Sequence, residues 1–81
     1  MQARYHPTLV EQLAAAPPPV RDAFNRKVQL LVRDLRHPSL HAKKYDEERD
    51  IWQARVTQDW RLYFQIEGDT YTILSLVSHP K

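Results

Sequence analysis

Residues 51–78 read IWQARVTQDWRLYFQIEGDTYTILSLVS, and this stretch decides the fold. From Ile51 to about Thr57, Trp52, Ala54 and Val56 alternate with Gln53, Arg55 and Thr57. From Trp60 to Glu67, Trp60, Leu62, Phe64 and Ile66 alternate with Arg61, Tyr63, Gln65 and Glu67. Successive side chains of a strand point to opposite faces, so a period of two predicts two strands that each bury one face. Thr70 to about Ser78 is apolar at most positions (Tyr71, Ile73, Leu74, Leu76, Val77), as expected of a strand that is central in its sheet or covered on both sides. Short turns at Gln58-Asp59 and Gly68-Asp69 make the three an antiparallel meander.

Upstream of this stretch the apolar period is helical. Thr8-Leu9-Val10-Glu11 has the form of a capping box behind Pro7, which predicts a helix from Thr8 to about Ala16, where three prolines (17–19) end it. A second, longer helix is expected from Pro18 or Pro19, since a first-turn proline lacks only an N–H that would have no partner. Val20, Phe24, Val28, Leu31 and Leu35 form its core-facing stripe, with Arg26, Arg33 and Arg36 opposite. His37-Pro38 should stop it, because a residue before proline is pushed out of the helical region. Gln2–Tyr5 offers a short edge strand, and residues 39–50 read as a polar loop. The expected fold is therefore α+β: a helical hairpin packed on one face of a small antiparallel sheet, in the order β-α-α-β-β-β, as a single domain over residues 1–81.

Composition bounds the function. The 81 residues allow one small core, and at 42% apolar and 27% charged they have the composition of a folded domain. Without cysteine there is neither a disulfide framework nor a thiolate metal site. No apolar run approaches the roughly 20 residues that cross a bilayer, and no signal peptide is evident, so a soluble, cytoplasmic protein is expected. Net charge is +2, and residues 1–40 hold six Lys/Arg against three acids, a balance compatible with a polyanionic partner.

If the helices cover the Trp52 and Leu62 side, then Arg55, Arg61 and Tyr63 project from the open face of two adjacent strands. Two guanidinium forks side by side match phosphate oxygens, and Tyr63 can stack a base or lend its hydroxyl. His79 would stand at the margin of that face and is suited to proton transfer, while Lys43, Lys44 and Lys81 add positive potential. Exposed strand positions also carry Arg and Tyr for solubility and cross-strand pairing, so spacing alone does not separate the two readings. His6, His37 and His79 each precede a proline and read as boundary punctuation. His37 and His41 are four apart, but Pro38 breaks the helix that would align them and no third ligand is apparent, so no metal site is expected. Glu47 or Glu48, in the acidic run 46–50, is a candidate general base at the groove edge.

The segments Trp52-Gln-Ala-Arg55-Val and Asp59-Trp60-Arg61-Leu62-Tyr63-Phe64, with a final strand ending Ser78-His79-Pro80-Lys81, resemble the C-terminal half of RelE/ParE-superfamily toxins. The preceding helices, the His-Pro step and the Lys-bearing loop are similar too, and the details lie nearest the RelE, YafQ and HigB side. The resemblance implies a type II toxin that acts as a ribosome-dependent mRNA endonuclease without a metal or other cofactor. It implies attack of a ribose 2′-hydroxyl on the adjacent phosphate, with Arg55 and Arg61 on the phosphate and His79 as acid or base. Lys43, Lys44 and Lys81 would hold RNA, and Tyr63 would stack a base. The implied partners are a cognate antitoxin, the ribosome and mRNA. The same scaffold also allows a ParE-like inhibitor of DNA gyrase, or an inactive relative that only binds antitoxin.

Overall fold

A computed structural model describes residues 1–78. Eight elements follow in order: β1 (Gln2–Tyr5), α1 (Pro7–Ala15), α2 (Pro18–Arg33), a 3-10 turn (Pro38–Leu40), β2 (Lys43–Asp46), β3 (Ile51–Arg55), β4 (Trp60–Glu67) and β5 (Thr70–Ser78). The five strands form one sheet in the order β1-β5-β4-β3-β2. The expected meander is present as β3, β4 and β5, and β5 is flanked on both sides as its apolar sequence requires. The helices cover the predicted face: Leu9, Phe24, Leu31, Ala54, Leu62, Phe64 and Ile73 are fully buried. Trp52 and Trp60 pack against this core half-buried.

Four expectations are corrected. The sheet is mixed, because β1 runs parallel to β5 (Gln2 opposite Thr70, Tyr5 opposite Ile73), so β1 enters α1 on the helix-covered side instead of completing a hairpin. The first helix is not capped by a Thr8/Glu11 box: His6 is extended (φ −68, ψ 146), and its Nδ1 accepts from Thr8 N at 3.1 Å. Pro7 then occupies the first turn, where its missing N–H costs nothing. The second helix ends at Arg33, four residues before His37, because Asp34 turns extended and its carboxylate accepts from Arg36 N at 3.0 Å. That local side-chain acceptor competes with the helix for the backbone. Finally, the loop expected at residues 39–50 contains a fifth strand, β2, paired antiparallel to β3 with Lys43 opposite Gln53.

The histidine-proline steps at His6 and His37 are punctuation, and the one at His79 lies outside the described residues. His37 caps the 3-10 turn as His6 caps α1, its Nδ1 accepting from Ser39 N at 3.2 Å.

Candidate functional site

The open face of the sheet is built by the outward register of three strands. Gln53 and Arg55 on β3 lie directly opposite Tyr63 and Arg61 on β4, and Lys43 on β2 lies opposite Gln53. Lys43, Gln53, Arg55 and Arg61, with His41 and Ala42, line a cleft of about 470 Å³, and Tyr63 stands beside it, outside the lining. Arg55 and Arg61 are thus brought together on the open face, and Lys43, expected in a loop, joins them from β2. Tyr63 joins them through its hydroxyl, which accepts from Gln53 Nε2 at 2.9 Å, and the Tyr45 ring stands edge-on to it at 4.9 Å.

Among the described residues no carboxylate pairs with the arginines of the cleft. Like charges directly opposite on neighbouring strands repel, and here the pair is Arg55 and Arg61. The ion pairs among the described residues, Lys44–Asp50 and Arg49–Asp46, reach neither arginine. Lys27 on α2 adds to the field: burial first, then the charges of Arg55 and Arg26, hold its ammonium below the usual lysine range. The two guanidinium groups are fixed differently. Arg61 Nη1 is shared among the carbonyls of Thr57, Gln58 and Trp60 at 2.7, 3.1 and 3.0 Å, so the β3–β4 turn clamps one corner and leaves the rest of the fork open. Arg55 Nε is buried with no hydrogen-bond partner among the described residues, an unsatisfied donor of a charged group.

Sequence reading weighed His41 only as a metal ligand, yet the structure places it in the cleft. It follows the 3-10 turn in the left-handed conformation (φ 46, ψ 42), and its Nε2 lies 3.4 Å from Arg55 Nη1. Since arginine can only donate, Nε2 carries the lone pair in this contact and the neutral ring holds its proton on Nδ1. A non-glycine residue held in this region costs of order 1 kcal/mol and marks a place where surrounding structure overrides local preference. Only its position after a capped turn made His41 findable, and the proline between it and His37 pointed away from it.

The structure takes Lys44 out of the cleft. It alternates with Lys43, so its ammonium lies over the Trp52 ring, 5.1 Å from the centroid, and pairs with Asp50. That carboxylate, by its hydrogen bond, holds the Lys44 ammonium above the usual lysine range. The acidic run does not edge the groove either: it forms the β2–β3 turn, while Arg55 stands at the other end of β3, about 13 Å along the strand. His79 and Lys81 lie outside the described residues.

Comparison with known proteins agrees with this architecture. Residues 23–81 match the family of ParE-like toxin domains. The chain belongs to that family. Among solved structures, this ParE-like chain superposes on a YoeB/ParE toxin from Agrobacterium tumefaciens with a TM-score of 0.81 at 10% identity, covering 98% of this chain and 99% of that one. It is similar to an archaeal RelE–RelB complex from Pyrococcus horikoshii (TM-score 0.79, 18% identity, 95% and 92% covered). A heterotetrameric YoeB–YefM toxin–antitoxin complex from Staphylococcus aureus also matches (TM-score 0.78, 14% identity, 98% and 97% covered). A search of curated proteins finds no match for the ParE-like chain.

Proposed function

We propose that this chain is the toxin of a type II toxin–antitoxin pair and cleaves mRNA on the ribosome. The observation that carries the reading is the directly opposed pair Arg55 and Arg61, with no carboxylate paired to it among the described residues and an imidazole lone pair beside it. A pair of cations held face to face is costly to fold and gains its compensation when a phosphate enters.

In this reading the scissile phosphodiester sits between the two guanidinium groups, which take up the additional charge of the pentacoordinate transition state. His41 Nε2 accepts the proton of the 2′-hydroxyl as its oxygen attacks the adjacent phosphorus. The bond to the 5′-oxygen breaks on the opposite side, leaving a 2′,3′-cyclic phosphate, and the departing oxygen takes a proton from His79 or from water. Lys43 and Lys81 hold the flanking backbone, and Tyr63, set by Gln53, stacks a displaced base. Every atom of this step comes from RNA, protein side chains or water, so the step balances without a metal or cofactor. The archaeal RelE and the staphylococcal YoeB were solved with antitoxins, and a cognate antitoxin covering the cleft is the expected partner here.

Primer extension on an mRNA translated in vitro tests this. Ribosome-dependent cuts are expected with wild-type protein and should fall about 10²–10³-fold in Arg55→Ala, Arg61→Ala and His41→Ala. Absence of cutting with wild-type protein overturns the reading, and inhibition of gyrase supercoiling in its place would establish the topoisomerase alternative.

A further inference from the structure

His41 and Ala42 form a wall common to two cavities. On one side lies the phosphate cleft; on the other is a separate cavity of about 230 Å³ between the residues that follow α2 and the covered face of β3. Its apolar lining is Leu35, Pro38, Ala42 and Trp52. Trp52 is a stiff wall, stacked on Phe64 (centroids 6.2 Å apart, planes at 21°) with Lys44 over its ring. The polar lining beyond His41 is Arg36 and His37, with no carboxylate.

The hydrogen bonds say what those two groups can still do. A backbone N–H only donates, so the bond from Ser39 N makes His37 Nδ1 the acceptor and puts the neutral ring's proton on Nε2. That Nε2–H and the Arg36 guanidinium make no hydrogen bond among the described residues. The Arg36 backbone is meanwhile pinned by Asp34, and His37 is held by its capping role. The cavity thus combines an apolar side with donors unspent among the described residues, and it shares His41 and Ala42 with the phosphate cleft.

We infer that this cavity is a nucleobase subsite for the nucleotide flanking the bound phosphate, and that it favours guanine. Guanine presents two acceptors, N7 and O6, in one plane, which suits a guanidinium fork and a second donor; cytosine offers its N4 amino donor on the corresponding edge, and adenine pairs one acceptor with one donor. The subsite deepens the RNA-cleavage reading and rests on it for its biological meaning, but its occupancy can be measured without turnover.

The test is a ¹⁵N heteronuclear titration of the full chain with guanosine, with the 5′-monophosphates of guanosine, adenosine and cytidine, and with inorganic phosphate. Guanosine is expected to move the Trp52 indole resonance, assigned with Trp52→Phe, while phosphate alone moves only Arg55 and Arg61 side-chain resonances. Guanosine monophosphate should move both sets and bind about tenfold more tightly than cytidine monophosphate. Arg36→Ala, at an exposed position, should erase that ratio. His37→Asn, whose side-chain oxygen can still accept from Ser39 N, should reduce it. If Trp52 never moves, or all nucleotides bind alike through the arginines, the subsite is overturned while the cleavage reading stands. If guanosine moves Trp52 but phosphate leaves the arginines unmoved, the subsite stands and the cleavage reading falls.

Discussion

Arg55 and Arg61 face each other across two strands, but the fold uses them unequally. Arg61 ties down the β3–β4 turn through three carbonyls, whereas Arg55 has an unsatisfied Nε and faces both Arg61 and the field of Lys27. Replacing each by methionine, which keeps an apolar stem, separates these roles. Arg61→Met should lower unfolding free energy by about 1.5–3 kcal/mol, because the interaction lost involves a charged donor. Arg55→Met should leave stability unchanged or raised while abolishing cleavage; urea unfolding beside the cleavage assay checks both. Lys27 yields a pH prediction. Its native pKa is depressed, chiefly by burial, so as pH rises through the interval below 10.5 the unfolded chain binds a proton that the native chain does not. The contribution of Lys27 to native stability must therefore rise with pH across that interval. Relative to Lys27→Met, the melting temperature of the wild type should improve as pH climbs towards 10.5, and a flat difference would contradict the assignment.

At the scale of elements, what was legible in the sequence was whatever repeated. The alternation of β3 and β4 and the helical stripe of α2 each bury one face by construction, and the burial of Val20, Phe24, Val28 and Leu31 follows from it. Elements that depend on a distant partner were not legible. Lys43–Asp46 carries no apolar alternation and is a strand only because β3 offers it a free edge. The end of α2 was misplaced because a proline stop is visible at a glance, whereas Asp34 acts earlier through a single side-chain bond. The junction of α1 with β5 shows the same dependence on distant residues. Since β1 stops opposite Ile73, that edge of β5 has no strand beyond this point among the described residues, and Gln12 Oε1 from α1 accepts from Leu76 N at 2.8 Å. Gln12→Ala should strand that half-buried donor and cost about 1–3 kcal/mol, read as a lower urea midpoint at constant slope.

At the scale of the molecule, charge is distributed by face. The open sheet face gathers Lys43, Arg55 and Arg61, while the acids of the 46–50 run stand at the far turn, where Asp50 pairs with Lys44 and Asp46 with Arg49. If the three cations each engage one phosphate, affinity for single-stranded RNA should fall with salt at a log–log slope of roughly −2. Fluorescence anisotropy across a salt series measures it, and Lys43→Ala should make the slope shallower; a salt-independent affinity would mean that binding does not run through this face. The sequence by itself determined the fold class, the three-strand meander, the covered face and the projection of Arg55, Arg61 and Tyr63 from the other, because periodicity is a local property that a buried face imposes on its own strand or helix. Only the tertiary structure decided that β1 runs parallel, that β2 exists, that Lys44 turns away to Asp50, and that His41 stands against Arg55. Each of these involves a segment that carries no periodic signal of its own, and it is settled by which strand edges, backbone groups and charges are left for that segment once the core has formed.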